Sequence, residues 1–119
     1  MKLSKIKINV KDDNGDTPFL FAIKMKDIKM VIYLIHQEKI DVNVQDKNGK
    51  TALHLILEID DKFLQKQMLK IVSMNSNLNF DIPDKEGRKP FDGREELKSM
   101  FDLIRNKYRK QTPQSKTYF

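Results

Sequence analysis

The apolar residues of this chain fall into short groups with helical spacing, and polar turns separate the groups. Apolar positions that recur about every 3.6 residues lie on one face of a helix, so each group predicts a helix with one buried side. The expected helices cover residues 17–24, 27–37, 51–59, 63–74 and 94–108. Residues 1–11 instead alternate between apolar and polar types, which taken alone is typical of a short strand.

One stretch, polar at first and then apolar, occurs three times along the chain. The best copy is QDKNGKTALHLIL at 45–57, with KDDNGDTPFLFAI at 11–23 and a weaker PDKEGRKPFDGRE at 83–95. The shared glycines lie 34 and 38 residues apart, and self-similarity at such a period is the signature of stacked structural units. The repeat predicts three units, which we call units one, two and three: residues 12–45, 46–83 and 84–108.

The order of residue types within each copy predicts a tight turn followed by the start of a helix. Asp side chains bond nearby backbone N–H groups, and Gly accepts the positive φ that a tight turn requires. Thr17 is a good N-cap, and Pro18 suits the first helical position because its missing N–H has no partner there. Unit two is longer than unit one, and we expect its extra residues in the connection at 60–66 and before Asp84.

These residues resemble the ankyrin repeat, a turn–helix–helix unit of ~33 residues whose signature includes Thr-Pro-Leu-His-x-Ala. The matches are Asp12, Gly15, Thr17, Pro18, Phe19 and Ala22 in unit one, Asn43, Asp46, Gly49, Thr51, Leu53 and His54 before and in unit two, and Asp84, Gly87, Pro90 and Phe91 in unit three. The resemblance covers roughly residues 5–105. It implies an all-α fold, a short ankyrin-type α-solenoid of helix–turn–helix repeats joined by β-turn or hairpin loops, with residues 1–11 as a partial repeat or an N-terminal cap.

Some positions depart from the family pattern. Leu20 and Asp92 replace the motif His, so we expect two units to lack its hydrogen bonds to the neighbouring turn, and Ala52 replaces the motif Pro. Lys26 and Asp60 stand where a helix-terminating Gly is common, which predicts irregular turns between the helices.

Unit three is the most degraded of the three. Gly93 is expected to weaken its first helix, and the longer helix at 94–108 has the polar outer side that a terminal repeat needs. Residues 109–119 are basic and have no periodicity, which predicts a disordered tail.

The sequence offers little catalytic chemistry. There is no cysteine, and the chain has only two histidines. We assign His54 to a structural hydrogen bond with the adjacent turn and His36 to the surface. The acidic cluster at 12–16 lacks the ligand spacing of an EF-hand loop. We therefore expect no enzyme activity, no catalytic residue, no metal and no cofactor.

The resemblance implies a surface that binds another protein. In an ankyrin-like stack, the turn tips and the exposed sides of the first helices line a concave face. The expected binding residues are Asp13, Asn14, Asp16, Lys24, Met25, Gln45, Lys47, Asn48, Lys50, Glu58, Ile59, Lys85, Glu86 and Arg88. Met25 and Ile59 occupy equivalent positions and could act as two apolar anchors for a partner; the alternative is that they are single exposed apolar residues of the ordinary kind.

Charge suggests an alternative function. The net charge is +6, and the excess of basic residues lies after residue 84. Four cations near the end of the last helix could contact the phosphates of a nucleic acid or an anionic membrane: Arg105, Lys107, Arg109 and Lys110. The alternative to a protein-binding module is therefore an electrostatic adaptor.

Unit one also has more apolar residues than its own core needs, including Ile28, Ile32 and Tyr33. The N-terminal strand, a further repeat, a partner or a second copy of the chain could cover them. No segment resembles a secretory signal or a bilayer-spanning helix. We expect a cytoplasmic protein, with the nucleus, or the host cytosol for a pathogen protein, as alternatives, and the chain could belong to a larger ankyrin protein.

Overall fold

The computed structural model describes residues 7–117, and side chains as far as Lys107. Five helices form in this part of the chain, which contains no strand: α1 (Pro18–Lys24), α2 (Ile28–Ile35), α3 (Ala52–Leu57), α4 (Lys62–Val72) and α5 (Glu95–Thr117). Helix α1 packs on α2 and α3, whereas α4 packs on α2, α3 and α5. Two layers result: the first helices of units one and two, α1 and α3, form one layer, and the second helices, α2 and α4, form the other. The predicted all-α solenoid is confirmed.

Each unit begins with the same hydrogen-bonded turn. In unit two the Asp46 N–H donates to the Lys50 carbonyl at 2.9 Å, and the Gly49 N–H donates back to the Asp46 carbonyl at 2.9 Å. The Asp46 carboxylate accepts the N–H groups of Asn48 and Lys50, also at 2.9 Å. All four bonds recur in the turns that begin at Asp12 and Asp84. The predicted turns therefore form, because one Asp side chain satisfies two backbone donors.

Glycine is required in these turns for two reasons. Gly15, Gly49 and Gly87 have φ between +78° and +80°, a conformation that disfavours any residue with a Cβ. A Cβ on Gly49 would also lie 2.6 Å from the Lys85 nitrogen, because the next turn packs directly on it. Nothing lies within 4 Å of the same point on Gly87. The turns thus stack in order, and the turn of unit three ends the stack.

His54 links two turns, as predicted. Its Nε2 lies 2.8 Å from the Arg88 carbonyl, which can only accept, so Nε2 carries the proton. Its Nδ1 then accepts the Thr51 N–H at 3.0 Å. At the equivalent position in unit three, an Asp92 carboxylate oxygen accepts the Lys89 N–H at 2.8 Å. Asp92 therefore makes the counterpart of the His54–Thr51 bond within its own unit. Among the described residues, it makes no counterpart of the His54–Arg88 bond to a further turn.

Unit two has 38 residues and unit one has 34. Three of the four extra residues lengthen the second helix, since α4 has 11 residues where α2 has 8, and one lies between α4 and Asp84, where part of the insertion was predicted. The predicted placement in the connection is wrong, because the N-cap of the second helix follows the N-cap of the first by ten residues in both units, Thr17 to Asp27 and Thr51 to Asp61. Buried Gln65 binds this connection in unit two, since its amide donates to the carbonyls of Leu57 and Ile59 at 3.2 and 3.4 Å.

The predicted irregular turn forms in unit one, where Lys26 has φ +59°. It is the only non-glycine residue in the described chain with a positive φ.

In unit three the stretch around Gly93 is a turn with no first helix. Helix α5 then continues to Thr117, through most of the stretch for which the composition predicts disorder. Lys, Arg and Gln are good helix formers, which favours this continuation.

An aromatic cluster closes the core at unit three. Phe101 is fully buried, and its ring centroid lies 5.3 Å from that of Phe91 and 5.9 Å from that of Phe80. The Lys98 ammonium and the Arg105 guanidinium lie over the Phe80 ring at 5.1 and 4.8 Å. The last helix thus shields the core with charged groups that also contact an aromatic face.

Candidate functional site

The residues between the turn-forming Asp and Gly project into solvent. These are the exposed Asp13, Asn14, Lys47, Asn48, Lys85 and Glu86. They form rows along the stack because the turns touch: the Lys85 N–H donates to the Asn48 carbonyl at 3.1 Å, and Lys47 packs against Gly15. The backbone bonds of the turns hold these rows rigidly.

A lysine joins units one and two beside the rows. The Lys24 ammonium lies 2.7 Å from the Asp16 carboxylate and 3.1 Å from that of Asp46. Partial burial would lower the pKa of Lys24, but the hydrogen bonds and charges of the two carboxylates raise it above its ordinary value. Asp16 was expected on the binding surface, but it is buried beneath Lys24 and its expected exposure is wrong.

Unit two uses the same two positions with the charges exchanged. Lys50 stands where unit one has Asp16, and its ammonium lies 2.5 Å from the Glu58 carboxylate, which stands where unit one has Lys24. The hydrogen bond to Glu58 raises the pKa of Lys50. Both side chains stay partly exposed, so this pair lies at the surface but is already mutually satisfied.

Only one of the two expected apolar anchors is exposed. Met25 is 62% exposed, whereas Ile59 is 6% exposed and belongs to the core. Ile59 lines a cleft between units one and two together with Ile23 and Lys24. The exposure expected for Ile59 is therefore wrong, because unit one covers this position of unit two.

Gln45 has a structural role in holding neighbouring turns together. Its amide donates to the Gly49 carbonyl at 2.9 Å within its own turn and to the Pro83 carbonyl at 3.1 Å at the start of the next. Lys11 makes the matching contact one unit earlier, with its ammonium 2.6 Å from the Gln45 carbonyl. The side chain of Gln45 thus links units, whereas Arg88 remains exposed and pairs only loosely with Glu86, at 3.5 Å.

Comparison with known families agrees with this geometry. A family model described as "Ankyrin repeats (3 copies)" matches residues 2–70, more than half of the chain. The chain belongs to the ankyrin repeat family. No curated protein matches it. The family match ends within α4, and the bonded turn at Asp84 extends the ankyrin pattern into unit three. Ankyrin repeats generally serve as protein–protein interaction modules.

The basic end of α5 presents fewer described cations than the sequence indicates. Arg105 lies over the rings of Phe80 and Phe101, whereas Lys107 is exposed. The side chains of Arg109 and Lys110 lie outside the described residues. Within residues 7–117, no helix has both the length and the apolar composition needed to cross a bilayer.

Three large apolar residues of the helices are exposed: Phe21, Phe63 and Leu103. Nothing in the apolar spacing of α4 distinguishes Phe63 from the core residues of that helix, so its exposure could not be predicted from the sequence.

Proposed function

We propose that this ankyrin chain binds another protein on a concave face made by the turn tips and the exposed ends of α1 and α3. We call this set the concave face: Asp13, Asn14, Lys24, Met25, Lys47, Asn48, Lys50, Glu58, Lys85, Glu86 and Arg88. The observation that carries the proposal is the register of the three turns, which repeat the same four hydrogen bonds.

Rigid turns favour binding because little conformational entropy is lost when a partner docks. The frame residues Asp46, Gly49, Thr51 and His54 are occupied with bonds inside the stack. Lys47 and Asn48, between Asp46 and Gly49, have exposed side chains that can differ without disturbing the fold. Specificity then comes from the side chains at the tips, above all Lys47 and Lys85, which take part in no ion pair among the described residues.

A charge-reversal experiment tests the face. Partners captured from a lysate of the native cell are identified, purified and titrated against the chain by calorimetry. Lys47 and Lys85 would meet acidic groups of the partner, so Lys47→Glu with Lys85→Glu should weaken binding by about tenfold, because each exposed charge contributes up to ~1 kcal/mol and reversal adds repulsion. The matched control is Lys66→Glu with Lys70→Glu, which changes net charge equally on the exposed side of α4 and should bind as the parent does.

The outcomes separate the candidate functions. Equal weakening by both double variants would mean that net charge alone is sensed. Binding that survives both but disappears when residues 105–119 are removed would place the contact on the basic end of α5. Either result contradicts the concave face. Circular dichroism of each variant confirms that the helices remain.

A further inference from the structure

We infer that the chain self-associates through the exposed end of unit one, in a weak two-fold dimer. The surface concerned consists of Phe21 and Met25 at α1 and Met30 and Tyr33 on α2, and we call it the end face. All four side chains are between 44% and 62% exposed. This surface is distinct from the rows of turn tips and shares only Met25 with the concave face.

The stack itself shows what such a surface packs against. Residues 34 positions later are equivalent, since both N-caps of unit two follow those of unit one by that number. The equivalents of the end face are Leu55, Ile59, Leu64 and Gln67. Leu55 and Leu64 pack against the core, Ile59 is buried and Gln67 is half-buried. Unit one covers this side of unit two, through the contacts of α1 with α3 and of α2 with α4.

No helix in the described chain covers the same side of unit one. Residues 8–11 bind elsewhere: Asn9 bonds the Lys39 carbonyl and the Asp41 N–H, each at 2.9 Å, and Lys11 bonds the Gln45 carbonyl. Among the described residues, nothing covers the four large apolar side chains of the end face, although the positions they occupy are packing positions of the fold. A concentrated apolar patch of this kind marks an interaction surface.

A second end face is the occupant that the chemistry favours. The opposite end of the stack is less suitable, because unit three lacks a first helix and the exposed described side chains of α5 are polar apart from Leu103: Glu95, Glu96, Ser99, Asn106 and Lys107. Two end faces related by a two-fold axis place apolar side chains against apolar side chains, as in an isologous interface.

The available area sets the strength of the dimer. Half of a large side chain offers about 100 Å², so the four residues offer roughly 400 Å² per copy. A stable interface buries about 800 Å² on each partner. We therefore expect a reversible dimer that forms at high protein concentration and dissociates on dilution.

Sedimentation equilibrium of the full chain over a range of concentrations tests the inference. The parent should show a monomer–dimer equilibrium, and Phe21→Asp with Met30→Asp should weaken dimerisation at least tenfold. Phe63→Asp with Leu103→Asp is the matched control, because these residues are 73% and 71% exposed on α4 and α5; it should dimerise as the parent does.

Three results would overturn the inference: a parent that stays monomeric at every concentration, equal loss in the two double variants, or loss in the control alone. Partner binding through Lys47 and Lys85 is measured separately at concentrations where the chain is monomeric. The proposal for the concave face can therefore be contradicted while the dimer is confirmed, and the dimer can be contradicted while partner binding is confirmed.

Discussion

The turn glycines differ in what an added Cβ would meet, and this difference decides how much each glycine contributes to stability. Gly49 and Gly87 share the same positive φ, but only Gly49 faces the backbone of the next turn at 2.6 Å. The two positions therefore separate the cost of the conformation from the cost of crowding.

Gly87→Ala should lower the free energy of unfolding by about 1–2 kcal/mol, which is the usual cost of a Cβ in the left-handed region. Gly49→Ala should cost more, because turn three must also move away from turn two. Urea unfolding monitored by circular dichroism measures both. Equal losses at the two positions would show that the turns do not pack as closely as described.

The carboxylate of Asp46 predicts how stability depends on pH. Burial would raise its pKa, but hydrogen bonds from the Lys50 N–H, the Lys24 ammonium and the Asn48 N–H outweigh burial and lower it. A group with a lowered pKa in the folded state stabilises above its unfolded pKa, near 3.9. That contribution is lost as the pH falls through the folded pKa.

Asp46→Asn should therefore destabilise the chain at neutral pH and make the acid loss of stability shallower. The Asn side-chain oxygen still accepts the two turn N–H groups, so the change isolates the charge and its pair with Lys24. Urea unfolding at a series of pH values below about 5 tests this. A parallel shift of the whole pH curve, with unchanged slope, would contradict it.

At the scale of the elements, local chemistry was enough to predict where the helices begin. Asp27 and Asp61 cap α2 and α4, and Pro18 begins α1. Each of these signals acts within a few residues. The extra turn of α4 was not predictable in the same way, because it lies at the end of the helix, where no capping residue in the sequence marks the stop.

The packing of α5 predicts a large effect from one of its apolar residues and a small effect from another. Phe101 is fully buried between Phe80 and Phe91, so Phe101→Ala should cost about 3–5 kcal/mol through the cavity it leaves. Leu103→Ala, two residues along and exposed, should change stability by less than about 0.5 kcal/mol. Thermal unfolding compares the two, and similar melting temperatures would mean that α5 does not close the core.

At the scale of the whole molecule, exposure depends on how many neighbours a unit has. Met25 and Ile59 look alike in sequence, yet unit one covers Ile59 and no described unit covers Met25. The sequence predicted the family, the turns and the accessible tips. It missed the burial of Ile59, because a single unit's pattern does not contain the contacts between units. It also missed the burial of Asp16, because the pattern does not show that Lys24 of the same unit lies over it.

The exchanged charges of units one and two keep one arrangement at both junctions of the stack. Lys24 of unit one lies between its own Asp16 and the turn carboxylate of Asp46 in the next unit. In unit two, Lys50 pairs with Glu58 of its own unit, and the turn carboxylate of Asp84 in the next unit adds a favourable charge. Each junction therefore places one ammonium near two carboxylates, although the ammonium comes from the helix end in one unit and from the turn in the other. A unit moved to another place in such a stack would keep this balance only if its helix end and its turn moved together.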